Sequence, residues 1–191
     1  MIHEGVVSTC NADGGAHLTP LGFRRDGERV ELAPFLPSVT HDNLLRTGRA
    51  VMCLTDDVRV IAGCLTGRRD WPVVALAAGG WRLRDCLSHL ELEVVAHMAD
   101  AQRPRFACRV RASGTHGAFA GFNRAQAAVV EGAILVSRLD FIAPEKLARE
   151  FAYLTIAIDK TAGPREREAW QWLLDAVADH PRHRLTMETN P

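Results

Sequence analysis

The sequence predicts an α+β fold that is mainly β, either an α+β chain or a β-barrel with a helical appendage. Short apolar runs, several of them alternating with polar residues and many bounded by turn residues, dominate the chain as far as Val110. From Asn123 onwards, apolar residues recur at helical spacing. The 191 residues, 47% of them hydrophobic, suffice for one or at most two globular units with a sizeable core.

The first three predicted strands are joined by tight turns. Both turns, Asn11–Gly15 and Asp26-Gly27, consist largely of residues that tolerate a positive φ. Pro20 has no backbone N–H, so it predicts an edge, a bulge or a place where another group replaces the missing ladder bond. The predicted strands are Val6–Cys10, Ala16–Arg24 and Arg29–Phe35.

A short helix, His41–Thr47, is predicted next, with Thr40 as its N-cap. The strand Ala50–Thr55 follows it. At least one residue of Asp56-Asp57 is expected to serve in a turn or as a helix cap, and Val58–Cys64 continues the apolar material.

The second half of the chain is predicted to form one hairpin and then helices. The alternating runs Leu90–Met98 and Phe106–Val110 predict a hairpin around Asp100–Pro104. A glycine-rich loop, Gly114–Gly121, leads to a helix capped by Asn123. Two further helices, Pro144–Ile158 and Pro164–Ala178, are predicted, and the polar tail from His180 is expected to fray.

The start of the short helix has the composition of an anion cradle. Ser38, Thr40 and Asn43 place hydroxyls and an amide where a helix has free N–H groups and a positive dipole end. The segment has no lysine and no Walker pattern, which favours a single phosphate group. His17 and His41 flank the cradle and could donate to a ligand, or they could be solvated loop residues. Plain helix capping, which needs only Thr40, is the alternative.

Several function classes are disfavoured by the sequence. The 23 basic and 23 acidic residues cancel and form no basic block, so neither nucleic-acid nor membrane binding is predicted. The patterns G-x-G-x-x-G and G-x-S-x-G are absent, and no His or Cys spacing predicts a metal site. Five cysteines without a C-x-x-C pair, and no secretion signal, predict a reduced, cytoplasmic protein.

Three segments resemble a family annotated only as a domain of unknown function, found in archaea and one-carbon-metabolising bacteria. They are VVSTCNADGGAHLTPLGF, LAPFLPSVTHDNLLRTGRAVMCLTDD and GFNRAQAAVVEGAILVSRL. The family belongs to the FMN-binding split-barrel, flavin-reductase-like superfamily, and the resemblance covers about Ile2 to Ile158. It implies a six-stranded Greek-key barrel that dimerises, with FMN in a groove at the subunit interface. The implied domains are a barrel, 1–122, and a helical segment, 123–191, packed on the barrel or on the dimer partner.

The resemblance also implies roles for individual residues. Thr19, Pro20 and Leu21 match the strand that runs along the isoalloxazine ring. Ser38, Thr40 and Asn43 match the positions around the ribityl phosphate. Val39 stands where flavin reductases often have an arginine, so His41 or the partner subunit's Arg124 is the candidate compensating charge. Asn123 and Arg124 are expected to point towards a ligand or a second subunit, unless Arg124 belongs to a solvated ion-pair stripe.

The leading functional hypothesis is a homodimeric, FMN-dependent oxidoreductase with a small-molecule electron donor or acceptor. No catalytic side chain stands out, which agrees with a flavin that carries the redox chemistry itself. Two alternatives stay open at this point. One is a non-catalytic FMN-binding or assembly protein linked to one-carbon cofactor metabolism, and the other is a structural protein that kept the barrel and lost the ligand.

Overall fold

The computed structural model describes residues 1–183, so the predicted frayed tail beyond residue 183 lies outside the described residues. The strands are β1 (Ile2–Cys10), β2 (Ala16–Asp26), β3 (Arg29–Leu32), β4 (Arg49–Leu54), β5 (Val73–Ala75), β6 (Trp81–Leu83), β7 (Ser88–Met98) and β8 (Arg105–Thr115). The helices are α1 (Val39–Thr47), α2 (Val58–Leu65), α3 (Arg124–Val136), α4 (Pro144–Thr161) and α5 (Pro164–Asp179). The predicted α+β order, strands first and helices last, is confirmed.

The chain divides into two compact units, and each unit consists of two separate segments of the sequence. The first unit comprises residues 1–56 and 69–119, and the second comprises residues 57–68 and 120–191. The second unit therefore contains α2 as well as the three C-terminal helices. The sequence interpretation had placed residues 57–68 in the barrel domain, because an apolar run alone does not say which core it joins.

Six strands of the first unit form a closed antiparallel barrel in the order β1-β2-β3-β8-β7-β4. Alternate residues of these strands point inwards and build one core, which includes Val7, Phe23, Met52 and Phe106. The barrel closes where β1 pairs with β4 over only three residue pairs. Gly5 permits this close approach, because a Cβ at that position would come within 2.7 Å of Met52 Sδ.

The edge of β2 is partly free of strand partners. Along one side β2 pairs with β1 over its whole length up to Arg24, but β3 pairs only with Phe23–Asp26. In the described part of the chain, no strand pairs with the other side of residues 16–22. Pro20 lies in this segment. Of the three explanations that the sequence allowed for this proline, the structure therefore supports a position on a strand edge.

A small hairpin, β5 and β6, covers part of the outer surface of the barrel. Its two strands have three residues each. Trp81 Nε1 donates to the carbonyl oxygen of Gly14 at 3.0 Å, and Arg49 Nη1 donates to that of Ala78 at 2.8 Å. These contacts attach the hairpin to the barrel, since so short a two-stranded sheet is not stable by itself.

Two predicted boundaries were wrong. The cap of α1 is Ser38 and not Thr40, so the helix begins at Val39. Strand β3 ends at Leu32, before the predicted Phe35. The run Val58–Cys64, to which no structure was assigned, lies in helix α2, and Asp57 is its cap. The expectation that one residue of Asp56-Asp57 is a cap is confirmed by Asp57.

The second unit packs its helices around small residues of α3. Gly132 makes room for the indole of Trp170, because a Cβ at Gly132 would lie 2.8 Å from Trp170 Cζ3. Trp170 also packs on Phe151 of α4, with ring centroids 5.0 Å apart. The predicted helices α3, α4 and α5 are confirmed to within a few residues at each end. None of the helices in residues 1–183 is both long and apolar enough to cross a membrane.

Candidate functional site

The first turn of α1 carries the predicted cradle. Ser38 has an extended backbone, with φ −153° and ψ 142°, and its Oγ accepts from the N–H of His41 at 3.2 Å. The N–H of Asp42 bonds to the carbonyl of Ser38 at 3.3 Å. Within residues 1–183, no acceptor is found for the N–H groups of Val39 and Thr40. The helix start thus keeps two backbone donors at its positive dipole end.

The hydroxyl of Thr40 links this helix start to the free edge of β2. Thr40 is 1% exposed, and its Oγ1 donates to Thr19 Oγ1 at 3.1 Å. Thr19 Oγ1 lies 2.8 Å from His17 Nε2. The structure therefore brings three predicted residues, Thr40, Thr19 and His17, into one hydrogen-bonded chain.

The electrostatic state of His17 suits this chain. Burial, and to a smaller extent the positive charge of Arg69, lowers the pKa of His17 below its ordinary value. His17 is therefore neutral at pH 7. Since Thr40 donates to Thr19, the Thr19 proton is available to the unprotonated Nε2 of His17.

Asn43 is buried, and all of its hydrogen-bonding groups have partners in the protein. Its Nδ2 donates to Thr9 Oγ1 at 3.1 Å and to Asn11 Oδ1 at 3.0 Å. Its Oδ1 accepts from Arg46 Nη2 at 3.1 Å. Arg46 also donates to the carbonyl of Cys10. Asn43 thus fastens α1 to the β1–β2 hairpin.

His41 lies at the same helix end, but its ring is turned towards the barrel. Its Nδ1 lies 3.0 Å from Asp42 Oδ1, and the side chain is 13% exposed. The ring meets the rings of His97 and Phe106 edge-on, with centroids 5.9 and 5.7 Å away. His41 is therefore a packed residue with a carboxylate partner.

The other two residues of the predicted ring-binding strand have different surroundings. Pro20 pairs in register with Val6 and is half-buried on the partly free edge of β2. Leu21 packs its side chain against the barrel core. Only the backbone of this segment is thus in a position to meet a ligand at the edge.

The positive end of the helix dipole, and no basic side chain of the segment 38–43 other than the imidazole of His41, favours an anion at the cradle. Val39, at the position where an arginine was considered, is 49% exposed and apolar. Asp42 adds a negative charge in the first turn of α1, and its partner is the imidazole of His41. A phosphate here would be bound by N–H groups and hydroxyls.

Asn123 and Arg124 belong to the second unit, and Asn123 is fully occupied as a cap. Its Oδ1 accepts from the N–H groups of Ala125 and Gln126, at 2.8 and 3.2 Å. Its Nδ2 donates to the carbonyl of Thr161 at 3.1 Å. Arg124 is exposed at the first position of α3.

A cavity of about 300 Å³ lies on the outer surface of β1, β4 and β7, and none of the predicted residues lines it. Its charged lining residues are of both signs, Arg49, Glu91, Glu93 and Arg111. This balance favours a phosphate less than the start of α1 does. In the described residues, no group of three or more His, Cys, Asp and Glu side chains is arranged to hold a metal ion.

Sequence reasoning missed the residues that hold the cradle in place. Thr9 and Asn11 accept hydrogen bonds from the side-chain amide of Asn43. The rings of His97 and Phe106 pack against the ring of His41. The available signal was weak. Thr9 and Asn11 stand at the end of a predicted strand, directly before its turn, but nothing local indicates that a residue 32 or 34 positions later bonds to them.

A closed barrel of six antiparallel strands followed by helices defines this chain as an α+β split-barrel protein. Two family models match it: "Protein of unknown function (DUF447) N-terminal domain" over residues 3–117 and "Protein of unknown function (DUF447)" over residues 123–175. The chain therefore belongs to the DUF447 family, as its sequence motifs indicated.

Solved structures share the fold. An FMN-bound protein of the same family from Methanosarcina mazei is 18% identical, with a TM-score of 0.79 over 92% of this chain and 94% of that one. The 2-nitrobenzoate 2-nitroreductase of Pseudomonas fluorescens is 16% identical, with a TM-score of 0.53 over 59% of this chain and 64% of that one. The flavin reductase of styrene monooxygenase from Pseudomonas putida S12 is 21% identical, with a TM-score of 0.51 over 61% of this chain and 82% of that one.

Proposed function

We propose that this protein binds FMN at the start of α1 and along the free edge of β2, and acts as a flavin-dependent oxidoreductase. The observation that carries the proposal is the partly buried Thr40–Thr19 hydrogen bond beside two N–H groups that have no acceptor among residues 1–183. This hydrogen bond joins a site for one phosphate group to the free edge of β2. The backbone of that strand edge can contact a flat ring. The FMN-bound family member from Methanosarcina mazei supports the choice of ligand.

The residues present fit this ligand. The N–H groups of Val39 and Thr40 and the hydroxyl of Ser38 would hold the phosphate, and the backbone of Thr19–Leu21 would meet the ring. Asn43 and His17 would position these groups from behind. Bound FMN would supply hydride or electron transfer at its ring, and the protein needs only to orient it and leave one face accessible.

A second copy of the chain would complete the site. Three large apolar side chains around the cradle are exposed, Phe35 at 59%, Val39 at 49% and Leu45 at 53%. Such a cluster on a protein surface marks an interaction site. A homodimer in which these residues are covered would also enclose the ligand. The electron donor or acceptor would be a small molecule, and the cytoplasmic location stays a prediction.

A matched pair of substitutions at Ser38 tests the phosphate site. Ser38→Asn and Ser38→Asp both preserve an N-cap of similar quality, but only Asp adds a negative charge. At about 5 Å and an effective dielectric of about 20–80, that charge costs about 1–3 kcal/mol against a phosphate. We expect Ser38→Asp to weaken FMN binding roughly 5- to 150-fold, and Ser38→Asn to change it little, in fluorescence titrations.

Riboflavin is the control for this experiment, because it has the same ring without the phosphate. Its affinity should be the same in the two variants. Equal FMN affinities in Ser38→Asp and Ser38→Asn would mean that the phosphate does not bind at α1. Wild-type protein that retains no flavin absorbance after reconstitution and desalting would exclude FMN binding altogether.

Turnover separates the two kinds of FMN protein. If the bound flavin is reduced by NADH, NADPH or a reduced deazaflavin, monitored by anaerobic bleaching of its absorbance, the protein is an oxidoreductase. Bound flavin that none of these donors reduces would favour the alternative, a non-catalytic FMN-binding or assembly protein. Val39 in place of an arginine favours the other alternative, a structural protein that kept the barrel and lost the ligand, which the desalting experiment tests.

The dimer is tested at Leu45. A charge at this exposed position of α1 should prevent burial of the apolar cluster, so we expect Leu45→Lys to be monomeric and to bind FMN more weakly. Sedimentation equilibrium measures the oligomeric state. Leu65→Lys, at a 38% exposed position of α2, is the control for an added surface charge. A dimeric Leu45→Lys protein would place the interface elsewhere.

A further inference from the structure

Two cysteines of the first unit lie next to each other under the β5–β6 hairpin. Cys53 is on β4 and is 0% exposed, and Cys86 follows β6 and is 2% exposed. The N–H of Leu83 donates to Cys53 Sγ at 3.3 Å, and the N–H of Leu87 donates to the carbonyl of Leu54 at 2.9 Å. The segment that carries Cys86 is thereby fixed to β4 on both sides of that residue, which places Cys86 beside Cys53.

The two sulfur atoms have different surroundings. The guanidinium of Arg82 donates to the carbonyls of Leu83 and Arg84 in the turn before Cys86, so a positive charge is held near the Cys86 thiol. The neighbouring Cys53 thiol and the charge of Arg82 outweigh the effect of burial and lower the pKa of Cys86 to about 7. The neighbouring Cys86 thiol and burial raise the pKa of Cys53. Cys86 is thus the more acidic thiol of the pair.

The cover over this pair can open. It consists mainly of two three-residue strands, and a hairpin of that size opens at a small fraction of the cost of global unfolding. A small oxidant can therefore reach Cys86 although the closed structure buries it. Cys108 provides the contrast inside the barrel, where burial raises the pKa of its thiol to about 12.

We propose that Cys53 and Cys86 form a redox-active dithiol that hydroperoxides oxidise to an intramolecular disulfide. The Cys86 thiolate attacks one peroxide oxygen, the O–O bond breaks, and a sulfenic acid and hydroxide form. The Cys53 sulfur then attacks the sulfenic sulfur and displaces hydroxide, which leaves as water after taking the Cys53 proton. Two electrons pass from the dithiol to the peroxide in all, and hydrogen peroxide becomes two molecules of water. This proposal does not depend on FMN binding.

The test is disulfide mapping on the full, folded chain. Reduced protein is desalted, treated with equimolar hydrogen peroxide at pH 7, blocked with N-ethylmaleimide and digested with trypsin. We expect an intact mass lower by two hydrogens before blocking, and a disulfide-linked pair of peptides, 50–59 and 85–105. Absence of this pair, or oxidation spread over all five cysteines, would overturn the proposal.

Single variants assign the two roles. In Cys53→Ser, the sulfenic acid at Cys86 has no partner and should be trapped by dimedone, whereas Cys86→Ser should give neither product. Cys108→Ser, equally buried but without a thiol neighbour, should form the disulfide as the wild type does. Arg82→Gln should slow alkylation of Cys86 about 3- to 10-fold at pH 7. Because the wild-type mapping needs no variant, a variant that fails to fold does not leave the proposal untested.

Discussion

Two polar helix starts of this protein, Ser38 at α1 and Asn123 at α3, differ in their hydrogen bonding. The Oδ1 of Asn123 accepts from two N–H groups of α3, and its Nδ2 donates to the carbonyl of Thr161. All of these partners belong to the same unit as Asn123. Thr161 Oγ1 also accepts from Ala125 N–H at 3.0 Å. Ser38 accepts from a single N–H, and the N–H groups of Val39 and Thr40 have no acceptor among residues 1–183.

This difference separates a structural cap from a candidate binding site. A helix start with fewer free donors gains less from an anion than one with more. In the first turn of α3 the N–H of Arg124 is without an acceptor among residues 1–183, against two such groups at α1. Both starts were predicted to face a ligand, Ser38 from its match to a phosphate position and Asn123 from its place after the glycine-rich loop. The number of free donors favours α1 over α3.

The largest effect is expected at Asn43, which resembles Asn123 in having every group bonded although it lies in α1 itself. Asn43→Ala would leave Thr9 Oγ1 and Asn11 Oδ1 buried with one partner fewer, at a cost of about 2–3 kcal/mol in the free energy of unfolding. Urea denaturation measures this. If the comparison holds, FMN affinity at a temperature where the variant is folded changes less than about threefold.

A double-mutant cycle with Thr9→Val controls for loss of the amide itself. The two substitutions should couple, because Thr9 and Asn43 share a hydrogen bond of 3.1 Å. A large loss of FMN affinity in Asn43→Ala, with folding intact, would show that this amide contacts the ligand after all.

The second prediction concerns the cap that is fully bonded. Asn123→Ala should lower the stability of the helical unit by about 1–2 kcal/mol, because Gln126 N–H loses its acceptor and Ala125 N–H retains only Thr161 Oγ1. FMN affinity should not change. Asn123→Asp, which keeps the acceptor, serves as the control and should recover most of the stability. A selective loss of FMN binding in Asn123→Ala would contradict the distinction between the two helix starts.

The third prediction tests the link between the helix and the strand edge. Thr40→Val preserves the shape of the side chain but removes the donor to Thr19, so we expect a loss of about 1 kcal/mol in stability. FMN affinity should fall several-fold, since Thr19 is then free to turn. Thr47→Val, which also removes a hydroxyl from α1 but at its other end, is the control. Equal effects of the two changes on FMN would remove Thr40 from the site.

The sequence predicted the elements of this fold well, because strands, turns and caps leave local patterns. The turn at Asn11–Gly15, the hairpin around Asp100–Pro104 and the cap at Asn123 follow from a few adjacent residues. Helix α2 was missed because its eight residues are apolar on nearly every side, and six of them are buried. A run of eight residues with a single polar side chain, Arg59, shows no clear period from which to distinguish helix from strand.

The contacts within the candidate site were harder to predict than the elements, for the same physical reason. Residue types around a helix start are visible in the sequence, but their partners are not. Thr40 was read as a cap, and its hydroxyl instead bonds to Thr19, 21 positions earlier. Asn43 was read as a ligand group, and its amide is held by Thr9 and Asn11. These contacts form because the folded barrel brings residues that are distant in the sequence close together. No local sequence pattern indicates which residues will meet in this way.

The smallest predicted effect is the pH response of His17, which links the hydrogen-bonded chain to solvent. Its pKa is lowered in the folded protein, so below about pH 6.5 the unfolded chain takes up a proton that the folded one resists. Stability is therefore complete above pH 6.5 and falls as the pH drops towards the lower, folded pKa. Since the imidazole is half-buried, we expect the free energy of unfolding to change by less than about 1 kcal/mol between pH 7 and pH 5.5.

The substitution His17→Gln keeps an acceptor for Thr19 and should flatten this part of the pH profile of urea unfolding. His116, whose pKa is lowered by burial and by Arg82 and His89, titrates in the same direction, so His116→Gln is the matched background. If His17→Gln leaves the slope unchanged in that background, burial and Arg69 do not hold His17 neutral in the folded protein, and the helix start is linked to β2 by Thr40 and Thr19 alone.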